Sequence, residues 1–139
     1  MLMRLTLALL LCISNAWCSV SQGDRGESSA DKIRSRIPGE WRGHSVCVDK
    51  NSACRDEVNV YRFSTVARGP NEFSATASKV VDTKEVVMGS AEWTFDGEKQ
   101  VLESQAPAIR LVVNGNQMEG TLTLPSGLVY RRIYLMKKT

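Results

Sequence analysis

The chain's one histidine, His44, stands beside Ser45 in the run Gly43-His44-Ser45-Val46-Cys47. A serine nucleophile needs a base within hydrogen-bond reach. This run reads as a strand, and neighbours on a strand point to opposite faces. The two side chains are therefore expected to be apart, with His44 on the surface. With one histidine and a single cysteine pair after export, no His/Cys zinc set is assembled. Asp49, Asn51, Asp56 and Glu57 gather oxygen ligands of the kind calcium takes, but no glycine among them supplies the sharp turn of a calcium loop. They read as a solvated acidic loop. Glu92, Glu103 and Glu119 lie on separate strands, and nothing in their spacing singles out an acid–base pair. No glycine-rich phosphate cradle is present. The expectation is a protein without catalysis, metal or cofactor.

Cysteine placement bears on compartment. The four cysteines are Cys12, Cys18, Cys47 and Cys54. Cys12 lies in the apolar run, Leu5 to Ile13, that follows Met1-Leu2-Met3-Arg4. One positive charge, a short apolar core and then small residues form a secretory signal peptide. That core is shorter than the roughly 20 residues a bilayer requires. Ser14-Asn15-Ala16 permits cleavage before Trp17, and Ala16-Trp17-Cys18 permits it before Ser19. The second cut leaves an even pair, Cys47 and Cys54, suited to an oxidising compartment. A lipoprotein is not expected, since Asn15-Ala16-Trp17 lacks the upstream leucine of a lipobox. Residues 1–18 are thus read as signal, placing the protein in the periplasm or outside the cell. A bond between Cys47 and Cys54 would stiffen the loop 49–57 and contribute about 2–3 kcal/mol by loop entropy.

Residues 19–37 are rich in serine, glycine and charge, and read as a disordered linker. Lys32, Arg34 and Arg36 form a small basic cluster there, read as solvated. A formal charge of +3 over the whole chain carries no nucleic-acid footprint.

The remaining stretch, 38–139, holds one modest core. Strands are expected over 41–48, 58–64, 73–80, 86–95, 100–104, 108–114, 117–124 and 128–137, rich in Val, Thr, Tyr, Phe and Trp. Asn114-Gly115-Asn116, Asp96-Gly97-Glu98-Lys99 and Pro125-Ser126-Gly127 are hairpin turns. Short connections join antiparallel neighbours, so the topology is a meander, and closure removes its two open edges. The expected fold is all-β: about eight antiparallel strands closing into a small up-and-down barrel. An open two-sheet sandwich is the alternative. Alternation assigns Val87, Gly89, Ala91, Trp93 and Phe95 to the core face of their strand. Inward faces then offer Phe73, Val87, Trp93, Phe95, Leu111 and Leu122 as pocket lining. The small residues Ala75, Ala77, Gly89 and Gly120 either leave room for an apolar ligand or relieve crowding in a filled core.

Gly39-Glu40-Trp41 resembles the Gly-x-Trp that opens the first strand of lipocalins and related calycin barrels. The chain is similar to small exported bacterial proteins of lipocalin-like type, though shorter than the lipocalins themselves. The resemblance implies that Trp41, after Gly39, plugs the closed end of the barrel. A basic residue of the last strand, Arg131 or Arg132, would lie over it. It implies a monomeric, non-enzymatic module for a small apolar ligand, with no nucleic acid and no membrane span. Small periplasmic inhibitors of secreted metalloproteases share the Gly-x-Trp, one disulfide and a protruding N-terminal segment. Ser126-Gly127-Leu128-Val129-Tyr130 resembles the Ser-Gly-x-x-Tyr of bacterial lysozyme inhibitors. An extracytoplasmic hydrolase is therefore the alternative partner. A structural or interaction barrel with a filled core is the third reading.

Overall fold

The computed structural model describes residues 26–139. The expected signal peptide, both cleavage sites and residues 19–25 lie outside that range. Helix α1 (Ser29–Arg36) precedes eight strands: β1 (Gly39–Cys47), β2 (Glu57–Thr65), β3 (Glu72–Val81), β4 (Lys84–Asp96), β5 (Val101–Gln105), β6 (Ala108–Asn114), β7 (Gln117–Thr123) and β8 (Val129–Lys137). They follow one another around a closed antiparallel barrel, in which β8 returns to pair with β1. Every expected strand is present, and closure excludes the open sandwich.

Over residues 29–36 the helix corrects the reading of a disordered linker. Ser28 caps it: its hydroxyl accepts from the Asp31 amide at 3.1 Å, and the Asp31 carboxylate accepts from the Ser28 amide at 3.3 Å. This reciprocal box satisfies amides that the first turn leaves free. The stretch has few apolar side chains, but Ile33 and Ile37 are four residues apart and share one face. Ile37 is fully buried and Ile33 packs against the core. Ala30 lies close to the Gly97 turn, and Arg34 Nε donates to Asn71 Oδ1 at 2.8 Å. The segment therefore closes one end of the barrel, called here the helix end, instead of protruding from it.

At the opposite, disulfide end, Cys47 and Cys54 are bonded, with Cα atoms 6.0 Å apart. The acidic side chains of that loop serve the loop itself. Asp56 accepts from the Cys47 amide at 2.8 Å and from Lys50, and Asp49 accepts from the Asn51 amide. The Cys47 and Lys50 bonds hold the Asp56 carboxyl below its ordinary pKa.

Two glycines let strands approach closely, Gly43 toward β8 and Gly120 toward β6. A Cβ on Gly43 would lie 1.8 Å from the Tyr134 carbonyl oxygen, and one on Gly120 would lie 1.7 Å from that of Arg110. Gly43 lies beside Leu135 in β8 and Gly120 beside Ile133. They act as the corners at which a small barrel curls. Gly120 thus admits a backbone rather than making space inside.

β4 contains a bulge. Gly89 pairs with Ala77 but Val87 pairs with Ser78, which leaves Met88 without a partner. One extra residue reverses which face follows. Ala91, Trp93 and Phe95 keep the expected inward side, but Val87 is 66% exposed. This corrects its assignment to the core face and to the pocket lining.

Candidate functional site

At the helix end, Trp41 is fully buried. Its indole N–H donates to the Ile37 carbonyl at 2.8 Å, so helix and barrel plug are tied by one bond. The cation over its ring is Lys137, with Nζ 5.3 Å from the centroid. That ammonium also donates to the carbonyls of Arg36 and Pro38. Burial, with Arg36 adding, lowers its pKa. Gly39, with φ of +117°, lies against the same ammonium group. The expectation that Arg131 or Arg132 would cover Trp41 is therefore corrected. β8 runs antiparallel to β1, so Lys137 falls opposite Trp41 and Arg131 opposite Cys47. The sequence signal for Lys137 is the closure itself: the last strand must end where the first begins.

Arg131 belongs to the disulfide end. Its guanidinium donates to the Ser45 carbonyl and hydroxyl, both at 3.3 Å, and to Glu57 at 3.4 Å. It also lies 5.4 Å from the Tyr130 ring centroid. Asn59 donates to the other Glu57 oxygen at 3.3 Å. Ser45 and Asn59 are almost wholly buried, so this network satisfies polar groups that would otherwise be costly inside. Beneath it lies Tyr61, whose phenol is pushed up to about 12 by burial, with the Glu57 charge adding. Arg132 is exposed on the outer face. His44 is exposed while Ser45 faces inward, so imidazole and hydroxyl are on opposite sides of β1.

Between these ends the interior is filled. Phe73, Trp93, Phe95 and Leu111 are all 2% exposed or less and belong to one core with Trp41, Tyr61, Met118 and Leu135. Leu122 is partly buried against that core. Trp93 is at its centre, edge-on to Phe63 at 5.3 Å and to Tyr61 at 6.1 Å between centroids. Four of the six residues expected to line a pocket are thus packed against one another and their neighbours. A groove of about 370 Å³ on the outer wall spans β6, β7 and β8 between Val112, Glu119, Arg132 and Tyr134.

The second feature is the wall between β4 and β5. The β4–β5 ladder covers only Trp93 to Asp96 of β4. Residues 84–92, Met88 excepted, pair with β3 on one side, and among the described residues no strand pairs with them on the other. The Phe95 amide donates to the Asn71 carbonyl, on the β3 side. Amides alternate in direction along a strand, so those of Ser90 and Glu92 face the open side. Val86, Val87 and Met88 are 45%, 66% and 47% exposed along this stretch. Where β5 ends, a notch of about 400 Å³ is lined by Glu72, Ala91, Glu92, Glu103 and Ala106, with Ser90, Thr94 and Gln105. Arg68 and Arg110 pair with Glu92 and Glu103 from outside that lining. Glu119, grouped with these carboxylates in the sequence, lines the separate groove on β7. Sequence reasoning missed the unpaired edge, although the unequal lengths of the strands flanking the Asp96-Gly97 turn foreshadow it.

Comparison with known proteins yields a fold. No family model matches the chain, and no curated protein matches it in sequence. Among solved structures it is similar to a redesigned β-barrel, with a TM-score of 0.56 and 14% identity, over 77% of this chain and 96% of the other. At that identity the likeness is one of architecture.

Proposed function

We propose that this is an exported, non-enzymatic barrel that works through its outer surface, as an interaction module with a filled core. One observation carries the reading: the inward side chains form a continuous packed cluster. An eight-stranded barrel either fills its interior or keeps a ligand cup there. The Cys47–Cys54 bond supports an oxidising compartment. No helix of the described residues is long and apolar enough to cross a membrane. Between a partner protein and a small apolar ligand, the packing favours the partner. A lipocalin-like role in ligand transport would require the aromatic cluster around Trp93 to open.

Titration of the mature protein with a fluorescent fatty acid tests this. No saturable uptake is expected. Uptake at one per chain, lost when Ala75→Leu narrows the interior further, would overturn the reading. A hydrolytic activity that disappears in His44→Ala would contradict the absence of catalysis.

A further inference from the structure

We propose that the open edge of β4 receives an extended segment of a partner protein, adding a strand antiparallel to β4 in line with β5. This rests on the reading that the protein acts through its surface. A strand edge offers a row of amides and carbonyls, and the occupant that satisfies such a row is another strand. Here the row continues an existing ladder. β5 pairs with β4 up to Trp93, and the amides of Ser90 and Glu92 extend the same side beyond it. An incoming strand that keeps the direction of β5 passes Glu92 first and Lys84 last.

Side chains along the path specify its chemistry. Its N-terminal end meets the notch where Glu72, Glu92 and Glu103 converge with no basic residue in the lining. The Arg68 and Arg110 pairs there are solvent-exposed and worth little, so an arriving Lys or Arg has carboxylates to meet. Its middle passes Val86, Val87 and Met88, which favour apolar side chains. The partner segment is thus extended, basic at its N-terminal end and apolar after it. The bulge at Met88 twists the edge, a device that discourages indiscriminate pairing.

The test selects a displayed library of random linear peptides on the disulfide-bonded mature protein. Enriched peptides should carry Lys or Arg before an apolar stretch, and their binding should slow hydrogen exchange at the Ser90 and Glu92 amides. Ser90→Pro removes one of those donors on an edge where proline is tolerated and should weaken binding about tenfold or more. Ser90→Ala should not. Met88→Lys, at an exposed side chain, provides a second block should the proline variant not fold. Peptides that bind Ser90→Pro and Met88→Lys as well as the parent, with protection elsewhere, would overturn the edge proposal and leave the surface reading standing. Failure to enrich any peptide, or dimers of the protein paired along β4, would also overturn it. A small molecule retained inside the barrel would instead remove the surface reading.

Discussion

Trp41 is held from three directions: by the Ile37 carbonyl, by the Lys137 ammonium above its ring and by the aromatic and aliphatic core around it. Removing the ring leaves a large cavity at the junction of helix and barrel. Trp41→Ala should therefore cost about 3–5 kcal/mol, read as a lower denaturant midpoint. A loss below about 1 kcal/mol would show that the plug is not structural. Tyr61 gives a pH-dependent counterpart. Its phenol titrates near 10 when unfolded and near 12 in the fold. Between those values the unfolded chain has released a proton that the folded chain keeps, so stability falls as pH rises from 10 towards 12. Tyr61→Phe should flatten that part of the stability profile. An unchanged slope would place the alkaline loss on other groups.

The strands themselves turn on glycines and one bulge. Gly43 and Gly120 have no room for a methyl group, because what a Cβ would meet is backbone of a neighbouring strand. Gly43→Ala and Gly120→Ala should each destabilise by about 1–3 kcal/mol or more, whereas Gly26→Ala, with open space around it, serves as control. Thermal unfolding of the three variants checks this. The strand order was legible in the sequence because its turn residues and short connections leave a meander as the simple route. Trp93 and Phe95 were placed correctly because alternation holds on their side of Met88. Val87 was not, because a bulge leaves no mark in the composition and flips the face beyond it. The helix was hidden for a different reason. Its support comes from a capping box and two isoleucines docked on a barrel end, and a polar stretch on its own gives no hint of that surface. Lys137 takes the place expected of Arg131 or Arg132, because the closing register sets the end of β8, not its start, beside Trp41.

At the scale of the molecule, a capped helix and Trp41 seal one end, and the Arg131–Glu57–Ser45 network occupies the other. Between them, side chains pack into one buried cluster. The wall there is uneven: each strand junction carries a ladder along most of its shorter strand, but β4 extends far beyond the end of β5. The most direct measurement is a native mass spectrum of the mature protein isolated from its own source. The expected mass is that of the polypeptide with its Cys47–Cys54 bond intact and no small molecule retained, with any added mass being protein. A stoichiometric apolar small molecule that leaves only on unfolding would contradict the filled barrel.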